Sequence, residues 1–156
     1  MFEDLALPQE ILGIPELRAT GAGLSGGAVQ IQAEAVLVKG MCPVCGKVCT
    51  KVHQKLQRQV RHLPVFGRPC WIRFAHRQLE CEGCGNTFAP PVGFLLTPDA
   101  QHTRAYAEWL YERVRGASIK VVAEQEGMAE KTLEGIYYRV AQERDHGRDK
   151  QGPEQT

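Results

Sequence analysis

Long apolar runs are missing from this chain: nowhere do roughly 18 apolar residues follow one another, so no membrane-spanning helix is expected. A basic leader is missing as well. The first ten residues, MFEDLALPQE, are acidic where a secretory signal would be basic, which argues against export and for the cytoplasm. Acidic residues are nearly absent from one stretch: from Lys47 to Glu80 there are eight Lys or Arg and a single acid, Glu80, so the segment carries about +7. The first 41 residues hold five acids and two bases, and residues 119–144 hold five acids and four bases. The overall net charge of +1 therefore hides one basic region, which a polyanion would meet first. No internal repeat occurs beyond two cysteine motifs, and the end of the chain from Asp145 has no apolar residue, which predicts a disordered tail over 145–156.

The chain has 156 residues, room for one ordinary domain or two small ones, and two modules are expected. Residues 2–17 are apolar in patches and broken by Pro8 and Pro15, which allows a short helix of one or two turns. The Gly-rich GAGLSGG of 21–27 reads as a loop, so residues 1–27 form a lead-in. Residues 28–38 alternate as a strand does, and so do residues 70–80, with Trp71, Arg73, Ala75 and Arg77 on one face and Ile72, Phe74 and His76 on the other. Pro64, Gly67 and Pro69 mark a turn before the second strand. After Pro98 the period becomes helical: Tyr106, Trp109, Leu110 and Val114 share one stripe, and three helices are expected within 99–144.

The strongest signal is a matched pair of Cys-x-x-Cys-Gly motifs, CPVCG at 42–46 and CEGCG at 81–85, with 35 residues between the inner cysteines. Each such turn aims two thiolates at one ion while the following backbone amides donate to sulfur, and two turns complete a closed tetrahedral site. Cys42, Cys45, Cys81 and Cys84 are therefore the expected ligands of one structural zinc, within a ribbon spanning 28–90 and built on short antiparallel strands. Two other readings stand beside this one: six cysteines paired as disulfides or simply buried, and a thioredoxin-like redox pair, which would need only one of the two motifs. Cys70 is expected to pack in a strand, Cys49 is not assigned to the metal, and His53, His62 and His76 read as spare surface histidines.

The basic charge between the motifs suits a phosphate backbone, with Lys55, Arg58, Arg61, Arg68, Arg73 and Arg77 as candidate contacts; a solvated surface that offsets the thiolates is the alternative. The last two helices fit a helix-turn-helix. Ala123 stands where the helices cross, Gly127 in the turn, and Val122, Met128, Leu133 and Ile136 where apolar packing is required. Glu126, just before the turn, departs from that pattern. Lys131, Thr132, Tyr138 and Arg139 on the second helix are the candidate groove contacts, and a trihelical bundle for protein contacts is the competing reading.

The order of parts, CPVCG, a basic stretch, RHLPVFGRPCWIRFAHRQLECEGCGNTFAP and then a helix-turn-helix, resembles the N-terminal region of bacterial insertion-sequence transposases with a zinc ribbon and helix-turn-helix ahead of an aspartate-aspartate-glutamate nuclease domain. The likeness covers roughly residues 5–142 and implies zinc at the four cysteines and binding to double-stranded DNA at mobile-element ends. A two-metal carboxylate cluster is not visible, so catalytic residues are expected to be none and strand cleavage is not expected of this chain alone. The expectation is a small α+β protein of a bacterial cytoplasm, associated with the nucleoid, with one zinc, no small-molecule substrate, and a second copy or a full-length transposase as partner. A stand-alone regulator of transcription or transposition and a zinc-ribbon adaptor for protein contacts are the rival roles.

Overall fold

The computed structural model describes residues 12–36, 38–97 and 99–150, which form two compact units, one ending at Thr103 and the other beginning at Arg104. No helix among the described residues is long and apolar enough to cross a membrane. The first unit contains strands β1 (Leu17–Ser25), β2 (Ala28–Ala35), β3 (Gly40–Met41), β4 (Val48–Cys49), β5 (Val52–Val65), β6 (Arg68–Glu80) and β7 (Thr87–Phe88). The second contains α1 (Arg104–Gly116), α2 (Ile119–Glu126) and α3 (Glu130–Lys150). This is the expected α+β class, with strands first and three helices after them.

The main sheet has the order β1-β2-β6-β5, with β7 added beside the end of β6. Hairpins β1–β2 and β5–β6 are antiparallel, but β2 and β6 run parallel, with Ile31 opposite Ile72 and Ala33 opposite Phe74. Parallel neighbours need a crossover of a dozen or more residues. Here that crossover carries the first cysteine motif and then the whole of β5.

Two expectations change. Gly21–Ser25 are not loop but the second half of β1, paired with Ala28–Gln32; only Gly26 and Gly27, at φ 58° and 80°, form the turn. Ladder hydrogen bonds are made by backbone, so small and glycine residues pair here without a hydrophobic pattern to announce them. The ribbon strands are also not short, since β5 and β6 have 14 and 13 residues. Pro64 lies inside β5, where the register shifts between His62 and Val65, as befits a residue with no N–H to give. The short-helix expectation for 2–17 lies mostly outside the described residues; Leu12, Ile14 and Leu17 are buried in the core.

Among the described residues, the apolar core lies on one face of the sheet. Ile31, Ala33, Val60, Cys70, Ile72 and Phe74 pack under Leu12, Ile14, Leu17, Phe94 and Leu95, with Phe94 edge-on to Phe74 at 5.2 Å. His62 belongs to this interior and is 6% exposed, so it is not the surface histidine expected. Its Nε2 lies 3.0 Å from the Leu12 carbonyl, which can only accept, so Nε2 carries the proton and Nδ1 accepts from the Thr103 hydroxyl at 2.7 Å. Burial holds the His62 pKa below its ordinary value, and burial followed by the Arg61 charge does the same for His102. The folded chain thus resists protons that the unfolded chain accepts. This contribution to stability is complete above the usual histidine pKa and is lost as pH falls below it. At saturating zinc, urea midpoints should therefore drop from pH 7.5 to 5.5, and the drop should be smaller in His62→Gln, which starts lower because its hydrogen bonds are poorer. An identical pH response in the two proteins would exclude His62 as a source.

The second unit closes around Tyr106, Leu110, Val122, Ala123 and Leu133, with Trp109, Val114, Ile119, Met128 and Ile136 at its margin. The Ser118 hydroxyl caps α2 by accepting from Val121 N–H at 3.3 Å, and Gly127 ends it at φ 65° with its N–H toward the Ala123 and Glu124 carbonyls. Glu126, anomalous for a helix-turn-helix, is explained by its partners: it accepts from Tyr106 Oη at 2.7 Å and from Arg113 at 2.5 Å. The tail expected to be disordered continues α3 as far as Lys150. The extension runs through Asp145, His146 and Gly147, none of them a strong helix former, so it is carried by continuation of a helix already nucleated and packed rather than by local propensity. Residues 151–156 lie outside the described residues.

Candidate metal centre and nucleic-acid interface

The two cysteine motifs fold as near copies of each other. Gly46 N–H donates to Cys42 O at 2.9 Å and Cys42 N–H to Lys47 O at 2.9 Å; Gly85 N–H donates to Cys81 O and Cys81 N–H to Asn86 O, both at 2.8 Å. Gly46 and Gly85 both sit at φ 75°, a left-handed conformation that a side chain would strain. The β3–β4 pair anchors the first knuckle and the β6–β7 pair the second. Gly40 permits this join, because a Cβ there would stand 3.0 Å from Pro90 and 3.1 Å from Phe88.

The four Sγ atoms of Cys42, Cys45, Cys81 and Cys84 lie within 4.8 Å of one another, with Cys42 to Cys84 at 3.6 Å and Cys45 to Cys81 at 3.4 Å. Sulfurs bound tetrahedrally at about 2.3 Å would be roughly 3.8 Å apart, so the group fits a zinc ion. Cys42 is held below the ordinary thiol range by the N–H of Cys45 and then of Val44. Cys81 is lowered to about 6, chiefly by the N–H of Cys84. Cys45 and Cys84 receive the N–H groups of Lys47 and Asn86, yet both are held above the ordinary range, Cys45 first by the facing Cys81 thiol and then by burial, Cys84 first by burial and then by the facing thiols. Four sulfurs competing for protons are what a divalent cation relieves. Asn86 also directs Nδ2 toward Cys42 Sγ at 4.0 Å, a contact the sequence did not flag.

Cys49 is buried beside this group but stands outside it: its thiol donates to Lys47 O at 3.3 Å, and burial pushes its pKa up to about 11. Cys70 is fully buried in β6, also pushed up to about 11 by burial. Among the described residues, the four-cysteine group is the one set of three or more such side chains close enough to hold a metal.

The basic residues separate by sheet face. Arg58 is opposite Phe74, lies over its ring and donates to Ala100 O at 2.9 Å, so it is bound into the covered side. Arg61 is 8% exposed, with its guanidinium over the Trp71 ring and its backbone joined to Gln101 and Thr103. Lys55 opposite Arg77, and Arg73 opposite Gln59, share the uncovered face. Lys55 and Arg73 are exposed and Arg77 is half-buried, while Arg68 is exposed near the hairpin turn. Rows of Gln32, Arg73 and Gln59, and of Gln30, Trp71 and Arg61, cross this face. The sequence signal for these glutamines is their QIQ and QRQ spacing, the mark of a polar strand face.

On α3, Leu133, Ile136 and Val140 turn toward the interior, and Lys131, Thr132, Tyr138 and Arg139 are exposed. Residues 131 and 138, and 132 and 139, are seven apart and so share one stripe. Gly135 lies in the middle of that stripe, with open space where a side chain would stand.

Comparison with known proteins follows the same division. Residues 39–84 match the zinc-finger of transposase IS204/IS1001/IS1096/IS1165, and residues 96–141 match the helix-turn-helix domain of transposase family ISL3. These are the zinc ribbon and helix-turn-helix of ISL3-family transposases. Together the two ISL3 modules make up more than half of the chain, and they are a DNA-binding region of a transposase. The transposase for insertion sequence element IS1001 from Bordetella parapertussis is 40% identical over 45 residues, which is 29% of this chain and 11% of that protein. No solved structure matches the chain.

Proposed function

We propose that this chain binds one structural zinc through Cys42, Cys45, Cys81 and Cys84 and uses the ISL3 ribbon and helix-turn-helix to recognise duplex DNA at the ends of a mobile element. The observation that carries this reading is the convergence of four thiols at zinc-compatible distances within a chain that also contains the second ISL3 module. Lys131, Thr132, Tyr138 and Arg139 read base edges from α3, and Gly135 lets the groove approach the helix backbone. Lys55, Arg73, Arg77 and Arg68 meet phosphates, whereas Arg58 and Arg61 chiefly hold the sheet together. The protein acts in the cytoplasm of a bacterial cell, on DNA of the nucleoid, as a dimer on paired ends or beside a full-length transposase.

Retention of genomic fragments by the zinc-loaded chain at moderate salt, followed by sequencing, tests the reading. Inverted repeats at element ends should be enriched; enrichment at promoters would favour a transcriptional regulator, and none over input a protein adaptor. Lys55→Gln with Arg73→Gln should weaken binding to every duplex alike and reduce the slope of log K against log salt by about 2. Lys131→Ala should change sequence preference instead. An unchanged salt slope in the double variant would remove the uncovered sheet face from the interface.

A further inference from the structure

The β5–β6 hairpin turns through Phe66 and Gly67, at φ 49° and 74°, closed by the Val65–Arg68 pair. Both central residues of such a turn are left-handed, a conformation suited to Asn, Asp or Gly and sterically poor for an aromatic residue. Phe66 is the one non-glycine residue with positive φ among those described, and it is 99% exposed. It is thus unfavourable twice over, in backbone and in hydration, and neither the turn nor the core uses its ring.

Its surroundings indicate the use. At this end of the hairpin Arg68 is exposed, Arg73 follows it on the same strand, and the one acid of β5 and β6, Glu80, stands at the far end. Arg68, next but one to Phe66, is exposed and donates to Gly27 O at 3.4 Å, so the turns of the two hairpins meet at the same end of the sheet. The 14 residues of β5 span roughly 40 Å, so this end of the sheet, remote from the four clustered cysteines, presents an apolar point beside a cation. Proteins that bend duplex DNA insert such apolar wedges between base steps, beside cations that hold the flanking phosphates.

We propose that Phe66 is a DNA wedge: its ring enters a base step of the bound duplex while Arg68 holds the adjacent phosphate. This rests on the reading of the chain as a duplex-DNA binder and adds unstacking and bending to it. Leu24, 65% exposed near the neighbouring turn, supplies a second apolar side chain at this end, so contact between two copies is the outcome to be separated.

The zinc-loaded full chain would be titrated at low salt into a mixed-sequence duplex carrying 2-aminopurine at scattered steps, with sedimentation in parallel. Wild-type protein should raise 2-aminopurine emission. Phe66→Gly should fold at least as stably, because the turn is relieved, yet lose the emission change and about tenfold in affinity; Phe66→Trp should keep both. Binding and emission equal to wild type in Phe66→Gly would overturn the wedge while leaving the DNA-binding reading intact. A change confined to self-association would overturn it in favour of a contact between copies. Absence of wild-type binding to any duplex would end the broader reading, and this inference with it.

Discussion

Cys81→Ser should abolish tight zinc binding and unfold one end of the first unit without unfolding the rest. The cluster around the metal group consists of Cys42, Cys49, Leu79 and Cys81, with Val38 and Phe88 against it, so most of its buried side chains are the cysteines themselves. Full burial of Leu79 contributes about 1.5–3 kcal/mol. Ordering each residue of two knuckles costs about 1–2 kcal/mol, so apolar burial cannot hold them. Metal binding has to supply the difference, and structural zinc sites provide about 10–16 kcal/mol at neutral pH.

The larger core of Ile31, Val60, Ile72 and Phe74 lies along the middle of the sheet and has no cysteine of the metal group in it. Zinc removal by a chelator should therefore strip amide protection from about residues 40–50 and 79–88, while the centre of β2, β5 and β6 remains protected in hydrogen exchange. Acid should release zinc in the same pattern, because each thiol must lose its proton to bind and protons compete increasingly as pH falls. Cys49→Ala is the control. Its buried thiol donates to a carbonyl, so zinc content should be unchanged. Equal zinc affinity in Cys81→Ser and wild type would disprove the four-cysteine assignment, and loss of all protection on chelation would mean that the sheet core is not independent of the metal.

The convergence of the four cysteines was legible in the sequence because knuckle chemistry is local: two thiols three residues apart and a glycine after them specify nearly all of the turn. The helices were legible for a similar reason, since Tyr106, Leu110, Val122 and Leu133 fall on a helical period and all are buried. Strand β1 was not legible, because its Thr20–Ser25 half is built of small and glycine residues whose pairing is mostly backbone, with no large apolar side chain buried. The first half of β5, exposed on both faces over residues 52–57 and mostly polar apart from Val52 and Leu56, gave too weak an alternation to detect.

The basic residues show a further limit. Arg58 and Arg73 are equally cationic in the sequence, and their roles separate only when β5 and β6 are registered, Arg58 opposite buried Phe74 and Arg73 opposite exposed Gln59. A slip of one residue would exchange the faces. That register depends on the Phe66–Gly67 turn and on parallel pairing with β2, neither of which is local to the arginines.

Glu126→Ala should be the most damaging single change in the helical unit, although composition alone would rank a glutamate there as a surface residue. Its side chain is 9% exposed and is the shared acceptor for Tyr106, which is fully buried, and for Arg113, whose guanidinium also lies 4.8 Å over Trp109. Truncation strands a buried hydroxyl and a partly buried cation at once. Breaking such a pair costs about 3 kcal/mol, a large share of what a unit of this size possesses. Glu126→Gln keeps an acceptor for Tyr106 and should cost about half as much. The network also joins the last residue of α2 to α1, and the Gly127 turn follows directly, so it fixes the direction in which α3 leaves. Sequence preference on DNA should accordingly weaken in Glu126→Ala even at temperatures where the helices persist. A double-mutant cycle with Tyr106→Phe decides the matter: coupling of at least about 1 kcal/mol is expected, and additive losses would show that the two side chains act separately.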